Sequence, residues 1–219
     1  DKAGGDENVG IFYVPPDAPG LSFSKPYQKM GFSFTEANTD IWFNDVRIPK
    51  RYRIDTQPGQ GSKLIKGYVI GLGRLAGAAR LTGLSEAVLE IVLDWTNNRM
   101  IAGKPMRERS LFAGTIAEMF RAIEISRQYY LSCTYQVMHP EVYGYPWEAH
   151  MKAKFSSARS FAGDAAEMVT KRSMQLMGSA GDAYESHIEK YMRDYKIVQM
   201  WLGGAVRDLE KAKKKLEEV

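Results

Sequence analysis

Apolar residues recur at steps of three and four over most of the chain, and this spacing predicts long helices with one buried face. The pattern begins near residue 63 and is interrupted by prolines at positions 105, 140 and 146. We therefore expect a mainly α protein in which long antiparallel helices pack as a four-helix-type bundle. The predicted helices span residues 64–99, 105–137, 147–177, 186–196 and 200–217.

Two of the predicted helices show the apolar stripe most clearly. A stripe of this kind marks the helix face that packs against its neighbours, so these side chains form the expected core. In the second helix the stripe contains Ile116, Met119, Phe120, Ile123 and Tyr130. In the third helix it contains Met151, Phe155, Ala158, Ala162, Ala165 and Val169.

Residues 9–49 follow a different pattern, in which β-branched and aromatic residues alternate in places with polar ones. We expect short strands in "VGIFYV", "LSFSKPYQKMGFSF" and "TDIWFNDVRIP". Three such strands cannot bury two faces of a sheet, so they are expected to be part of a β domain whose other strands come from elsewhere. The linker "DTQPGQG" then divides the chain into a partial β domain (residues 1–57) and a helical bundle domain (residues 58–219).

Composition narrows the classes of function. Of the 219 residues 44% are hydrophobic, enough for a sizeable core, and the net charge is only +4. The sequence shows no basic and aromatic cluster for nucleic acid, no apolar window long enough for a transmembrane helix and no signal peptide. The three histidines lack metal-ligand spacing, so we expect no metal site. Cys133 lies in an apolar helical run, which indicates a buried thiol in a reducing compartment, the cytoplasm or the mitochondrial matrix.

A glycine pattern near the start of the first long helix needs a separate interpretation. The stretch "YVIGLGRLAG" has glycines at positions 71, 73 and 77, and Asp94 follows about twenty residues later, as in a dinucleotide-binding fingerprint. The spacing is GxGxxxG rather than GxGxxG, and the residues up to Asp94 fit helical steps better. We therefore interpret the glycines as places where two helices pack closely or a ligand approaches the backbone.

Four segments, taken in order, resemble the acyl-CoA dehydrogenases. The region "GIFYVPPDAPGLSFSKPYQKMGFSFTEANTDIWFNDVRIP" is similar to the end of the family's middle β domain, and "GRLAGAARLTGLSEAVLEIVLDWTNNRMIAGKP" to its first long C-terminal helix. "MQLMGSAG" resembles a loop of that family, and "IEKYMRDYKI" its "VEKYYRDAKI" helix. The family's N-terminal helical domain and first half of the β domain have no counterpart here. The chain is then either one half of a split or heteromeric enzyme or part of a longer chain.

The resemblance implies an FAD cofactor at a subunit interface. Arg99 matches the arginine that reaches the FAD pyrophosphate, although an arginine here could also simply offset a helix dipole. Gly204 matches a threonine that touches FAD. A loop matches the segment that contacts the FAD of a neighbouring subunit, or else forms a plain helix C-cap. That loop contains Gln175, Leu176, Met177, Gly178 and Ser179.

The resemblance also implies an acyl-CoA site. Arg74 matches an arginine near the CoA nucleotide or the start of the substrate site, and Trp201 and Leu202 are expected to line the acyl cavity. Family members usually carry an aspartate that holds CoA at the position of Gly71. The small residues at 71, 73 and 204, with Leu202, suggest a roomy cavity, which would suit a ring or a branched acyl group.

Neither position at which the family carries its catalytic base is acidic in this chain. The reaction removes the proton alpha to the thioester carbonyl, which requires a carboxylate beside the substrate. Most members place a glutamate in a "YEGT" turn, where this chain has Leu202, and a minority place it at the position of Gly73. The nearest acids, Asp182 and Glu185, could face the cavity but fit a role at a helix N-terminus more simply, and Tyr184 is a further weak candidate.

Four functions remain open at the level of the sequence. The first is a flavin-dependent acyl-CoA dehydrogenase whose base lies elsewhere, with electron-transfer flavoprotein as the electron acceptor and a tetramer-like homo- or hetero-oligomer as the assembly. The second is a non-catalytic partner subunit of such a heteromer. The third is a flavin-dependent monooxygenase on the same fold, which needs no alpha-proton base. The fourth is a helical module without a cofactor.

Overall fold

Long helices make up most of the protein in the computed structural model. The structure describes residues 5, 8–32, 38–55, 57–203, 210, 213–214 and 217. The four long helices confirm the predicted fold class. In chain order, the α-helices are α1 (Gln60–Lys63), α2 (Leu72–Asn98), α3 (Ser110–Met138), α4 (Pro140–Tyr143), α5 (Ala149–Met177), α6 (Ser179–Asp182) and α7 (Ile188–Met200).

Two apolar clusters fill the bundle and show the direction of its helices. The first core cluster joins the start of α2 and most of α5 to the ends of α3 and α7, and the second joins the opposite ends of the same helices. Hence α2 and α5 are parallel to each other and antiparallel to α3 and α7. The first cluster contains Leu75, Ala78, Leu81, Cys133, Met151, Phe155, Ala158, Ala162, Ala166, Tyr195 and Val198. The second contains Val88, Leu89, Val92, Met106, Met119, Ile123, Val169, Leu176, Met177 and Ile188.

The predicted stripe of α5 is confirmed in full, because all six of its members are buried. In α3, Met119 and Ile123 are buried as predicted, but the expectation for Phe120 is wrong, since its side chain is 56% exposed. Phe120 follows Met119 by one residue and is therefore rotated by about 100° around the helix axis. It borders a groove of 450 Å³ between α2 and α3 instead of entering the core.

A stretch of π-helix, Leu64–Gly71, connects α1 to α2, where the sequence predicted an ordinary α-helix from residue 64. Its buried glycines lie directly against the start of α5. A Cβ atom on Gly67 would come within 3.0 Å of the backbone nitrogen of Trp147, and one on Gly71 within 3.3 Å of the Phe155 ring. Gly71 therefore serves close helix packing, one of the two interpretations made from the sequence for the glycines at 71, 73 and 77; Gly67, outside that pattern, does the same.

The β segment is smaller than the pattern predicted. Among residues 8–32 and 38–55 it has one antiparallel strand pair, β1 (Leu21–Phe23) with β2 (Ile41–Phe43), with Ser22 opposite Trp42. The last two positions of the predicted strand "LSFSKPYQKMGFSF" lie outside the described residues. All three side chains of β2 are exposed, so apolar residues are left uncovered on both faces of the pair. The apolar surface thus exposed is what a partial sheet would leave.

The prediction of a full strand at "VGIFYV" is wrong. The described residues of that segment form a single β-bridge, in which Phe12 pairs with Arg53. The backbone N–H of Tyr13 donates to Tyr52 and that of Ile54 to Ile11, and no further rung forms. The pairing stops because the N–H of Ile11 is taken by the Asp55 carboxylate and the prolines at 15 and 16 have no N–H to donate.

A tight hairpin follows α2 and turns the chain into α3. Its strands are β3 (Met100–Ile101) and β4 (Lys104–Pro105), and the two residues between them, Ala102 and Gly103, both have positive φ. That is the two-residue loop whose twist suits a hairpin. The Arg109 guanidinium donates to the carbonyl of Ile101, 3.1 Å from Nε, and so ties the turn to the start of α3.

The sequence predicts neither a transmembrane helix nor a metal site. None of the helices in the described part of the chain is both long and apolar enough to cross a membrane. Among the same residues no three His, Cys, Asp or Glu side chains come together in a way that could hold a metal ion. Cys133 is 1% exposed, and burial raises the pKa of its thiol to about 11, as expected for a small residue of the core.

The first core cluster predicts the cost of a large-to-small substitution. Phe155 is fully buried, so Phe155→Ala should lower the free energy of unfolding by about 3–5 kcal/mol through the cavity it leaves. Phe120→Ala removes the same atoms from an exposed site and should change it by less than about 0.5 kcal/mol. Urea denaturation of both variants measures the difference. Equal costs would contradict the assignment of the buried face.

Candidate functional site

The segment after α7 forms a turn with unusual backbone geometry. Trp201 ends the helix with φ −55° and ψ 149°, and Leu202 then has φ 51° and ψ 26°, in the left-handed region. That region is costly for a residue with a Cβ atom, so surrounding contacts have to support it. This is the turn that the sequence matched to "YEGT".

The structure brings the two possible base positions together. A Cβ atom on Gly73, in the first turn of α2, would lie 3.0 Å from Cδ1 of Leu202. A carboxylate on either residue would therefore enter the same small region. This chain has no ionisable side chain at either position, so neither of them supplies a carboxylate.

Arg74 lies directly beneath the turn. It is 4% exposed, and its Nη1 donates to the Ser156 hydroxyl on α5 at 2.9 Å. Its Nη2 reaches the carbonyl oxygen of Leu202 at 3.5 Å, the long end of the hydrogen-bonding range. The guanidinium therefore joins α2, α5 and the turn. Three of the predicted substrate-site residues, Arg74, Trp201 and Leu202, are thus neighbours in the structure.

A cation between two aromatic rings connects this turn to the β segment. The guanidinium carbon of Arg80 lies 4.5 Å from the centre of the Trp201 ring and 4.9 Å from the centre of the Phe32 ring. Each contact is a cation–π attraction of about 0.5–1 kcal/mol at an exposed position. Arg80 was not singled out from the sequence, because an arginine on an exposed helix face has no distinctive signal before the two rings are placed.

The "KMGF" loop is docked on α7 by the residues of the "RDYKI" motif. The buried carboxylate of Asp194 accepts the backbone N–H of Phe32 at 2.8 Å, and Arg193 donates to the carbonyl of Met30 at 2.7 Å. A Cβ atom on Gly31 would be 2.6 Å from the Arg193 carbonyl oxygen, so the loop fits only with glycine there. In the sequence, the "KMGF" and "RDYKI" segments only indicate the family resemblance. A contact between the two segments is not predicted from it.

Arg99 lies at the opposite end of α2. It is the residue at which the helix ends, its side chain is exposed, and among the described residues that side chain has no hydrogen-bond or ion-pair partner. Its carbonyl accepts the N–H of Met106, which closes the hairpin of β3 and β4 behind it. An exposed guanidinium of this kind is available for an external anion.

The predicted loop of Gln175–Ser179 is near this same end, because α5 runs parallel to α2. Gln175 and Ser179 are exposed, whereas Leu176 and Met177 are buried in the second core cluster, so these two could meet a ligand only through their backbone. Gly178 has φ 58° and ψ −136°, which glycine alone adopts easily, and the space where its Cβ would stand is open. The end of α5 thus offers exposed backbone and an exposed amide side chain.

The predicted site residues consequently form two groups, one at each end of the bundle. The turn group contains Gly73, Arg74, Trp201 and Leu202, and the hairpin group contains Arg99 and Gln175–Ser179. The length of α2 separates Arg74 from Arg99 by about 37 Å. Gly204, the other predicted cofactor contact, lies outside the described residues.

The three weak base candidates do not reach the turn group. Asp182, Tyr184 and Glu185 are exposed residues that precede α7, and the first residue of that helix, Ile188, belongs to the second core cluster. The length of α7 puts them about 18 Å from the turn that follows its last residue. Within this chain, therefore, none of the three lies beside the turn, and the role at a helix N-terminus fits their positions better.

Comparison with known proteins gives a consistent result. The sequence pattern of the family described as "Acyl-CoA dehydrogenase, C-terminal domain" matches residues 59–206. The short-chain specific acyl-CoA dehydrogenase of Megasphaera elsdenii is 28% identical over 203 residues, which are 93% of this chain and 50% of that protein. The chain therefore spans about half the length of the curated relatives it matches.

Solved structures agree in fold. Butyryl-CoA dehydrogenase from Megasphaera elsdenii has a TM-score of 0.86 at 24% identity, with 99% of this chain and 54% of that chain covered. The structure described as "PigA with FAD and proline" has a TM-score of 0.85 at 19% identity, with 98% of this chain and 53% of that chain covered. At these identities the match supports the fold alone.

The loop docking on α7 generates a stability prediction. Asp194→Ala leaves the N–H of Phe32 without its acceptor and should lower the free energy of unfolding by about 2–3 kcal/mol. Lys190, the other partner of Asp194, is more than half exposed, so Lys190→Met should cost less than about 1 kcal/mol. Thermal and urea unfolding of the two variants measure both losses of stability. If Lys190→Met costs as much as Asp194→Ala, the ion pair and not the loop contact matters.

Proposed function

Because the chain belongs to the acyl-CoA dehydrogenase family, we propose that it forms the C-terminal half of a flavin-dependent enzyme that oxidises an acyl-CoA thioester at its alpha and beta carbons. The observation that carries the proposal is the turn group. The chain brings the turn of Trp201 and Leu202 over Gly73 and Arg74, the place where family members hold the reacting part of the acyl chain. The acyl group would lie against this surface.

Members of this family use FAD, and the residues of the hairpin group are suited to holding it. When bound, FAD accepts the hydride from the beta carbon. Arg99 offers an exposed guanidinium, whose planar fork matches a diphosphate. Gly178 offers exposed backbone with open space beside it, so a ligand could approach it closely. These two features make the end of α2 and α5 the proposed pyrophosphate contact.

The distance between the two groups supports an oligomer. Arg74 and Arg99, about 37 Å apart on one helix, are too far from each other to contact the ring system and the pyrophosphate of the same flavin within a single bundle. We assign the turn group to the flavin and acyl-CoA of its own subunit and the hairpin group to the flavin of a neighbour. A tetramer-like homo- or hetero-oligomer, as inferred from the resemblance, satisfies both.

The missing base limits what this half can do by itself. Neither Leu202 nor Gly73 can remove the alpha proton, so in the proposed dehydrogenase another part of the assembly supplies the carboxylate. The same observation favours a second candidate, a non-catalytic subunit that contributes only its share of the flavin site. A flavin-dependent monooxygenase, which needs no such base, is the third. Electron-transfer flavoprotein is the proposed acceptor for the dehydrogenase, in the cytoplasm or the mitochondrial matrix.

One spectroscopic experiment separates these functions. The assembly that contains this chain is purified, and its flavin absorbance is followed as an acyl-CoA is added without oxygen. Bleaching of the flavin band supports the dehydrogenase. A flavin that is reduced by NADH or a reductase and then consumes oxygen supports the monooxygenase. A bound flavin that reacts with neither supports the non-catalytic subunit, and absence of flavin under all conditions refutes a flavin site.

Arg99 provides the test of the pyrophosphate contact. Arg99→Ala should weaken FAD binding about tenfold or more, because a charge-assisted hydrogen bond to the phosphate is lost. Arg121→Ala, which removes an exposed arginine from α3, is the control and should leave FAD binding unchanged. Titration of the flavin-free assembly with FAD, followed by fluorescence, measures both affinities. An unchanged affinity in Arg99→Ala would remove Arg99 from the flavin site.

Leu202 provides the test of the base position. In deuterated water, Leu202→Glu should increase exchange of the alpha proton of a bound acyl-CoA, because it returns a carboxylate to the region beside Gly73. Leu202→Gln has nearly the same size without the basic group and serves as the matched control. Mass spectrometry of the recovered acyl-CoA measures the exchange. Equal exchange in the two variants would mean that position 202 does not face the acyl chain.

A further inference from the structure

Arg159, in the middle of α5, is the largest side chain that is fully buried in the described part of the chain, at 1% exposure. A buried cation is costly unless hydrogen bonds replace its hydration. Here Nη2 donates to the carbonyl oxygen of Val198 at 2.7 Å and to that of Gln199 at 3.2 Å. Both acceptors belong to the last turn of α7, where helix carbonyls carry partial negative charge. The carbonyl of Val198 also accepts the backbone N–H of Trp201.

Two glycines provide the space for this contact. A Cβ atom on Gly77 of α2 would lie 3.3 Å from Nε of Arg159, and one on Gly163 of α5 would lie 3.3 Å from Cγ of Gln199. Contacts this close leave little room for a side chain at either position. The two helices therefore enclose the guanidinium and the last turn of α7 in one tightly packed layer.

The backbone is strained two residues beyond the end of α7. Leu202 has positive φ, and its carbonyl is reached by Arg74 from α2. Guanidinium groups from α2 and α5 thus contact carbonyls at both ends of the segment from Val198 to Leu202. Glu167 adds a further link from α5, since its carboxylate accepts Nε2 of Gln199 at 3.2 Å, while hydrogen bonds from Lys171 and Gln199 lower the pKa of Glu167.

We propose that Arg159 is a positioning residue for the turn of Trp201 and Leu202, because its buried guanidinium fixes the last turn of α7 on α5 and thereby the point at which the chain passes over Gly73. Arg159 acts through the backbone carbonyls of α7, and its guanidinium is buried among them. The structural part of this proposal is independent of the proposed function. Its consequence for chemistry at position 202 rests on that function.

Local hydrogen exchange tests the structural part. Arg159→Met retains an unbranched chain but loses the donors, and should accelerate amide exchange about tenfold or more in peptides that cover residues 196–203. Peptides from the second core cluster, around Met119 and Ile123, should change by less than about twofold. Arg172→Met removes an exposed arginine from the same helix and should affect neither region.

The conservative variant keeps the test decisive if Arg159→Met does not fold. A lysine provides a charge but no planar fork, so Arg159→Lys should accelerate exchange at 196–203 by about threefold, less than the methionine does. Acceleration that is equal in all peptides would show that Arg159 supports the core in general, and unchanged exchange at 196–203 would show no role. Either result overturns the proposal.

A double variant tests the chemical consequence. If Arg159 positions the turn, the gain of alpha-proton exchange that Leu202→Glu produces should fall about tenfold when Arg159→Met is added. An undiminished gain would overturn this part. If Leu202→Glu produces no gain by itself, the proposed function fails at that site, while the exchange result for the peptides of residues 196–203 still decides the structural role of Arg159.

Discussion

The packing of α2 against α5 is the constraint on which the rest of the structure depends. The two helices run in parallel through both core clusters, and a glycine at their contact, Gly77, allows a close approach. That approach places Arg74 beside Ser156 and encloses Arg159 between the helices. Because α7 packs antiparallel against both, the turn that follows α7 is positioned by side chains from each of them. A wider spacing between α2 and α5 would separate the residues that meet at the turn.

Polar and charged side chains, not apolar contact alone, decide how the segments around the bundle are placed. Asp194 holds the "KMGF" loop, Arg74 and Arg159 hold the end of α7, and Arg80 lies between the rings of Phe32 and Trp201. Apolar packing tolerates small shifts of one surface over another, but a hydrogen bond fails when its partners move by about an ångström. These four side chains therefore specify where the β segment and the final turn lie, because apolar contact with the core alone would tolerate several positions.

Much of the fold could be predicted from the sequence, and the reasons are physical. The stripe of α5 was predicted correctly because a buried helix with small residues repeats its apolar positions regularly. The fold class followed from the predicted helix lengths and from the prolines that separate the helices. Phe120 was misassigned because a position next to the stripe cannot be distinguished from one within it by spacing alone. The strand at residues 9–14 was overestimated because propensity does not reveal how many partners an extended segment will find.

The candidate site was predictable only in part. The resemblance supplied Gly73 and Leu202 as separate positions, and their contact became visible only in three dimensions. Arg74, the neighbour of Gly73, is 128 positions away from Leu202 along the chain. The roles of Arg80 and Arg159 have no sequence signal, because each depends on what the chain brings to it from distant segments. The assignment of Arg99, the loop of Gln175–Ser179 and the domain division at residue 57 stays a prediction.

The separation of the turn group from the hairpin group also has a genetic consequence. In the proposed assembly each flavin would draw on the turn of one subunit and the hairpin of another. A defect at Leu202 and a defect at Arg99, carried by different copies of the chain, would then be distributed unevenly when the copies assemble together. Some flavins would receive both damaged ends and others would receive neither, so two individually inactive alleles could complement each other within one oligomer.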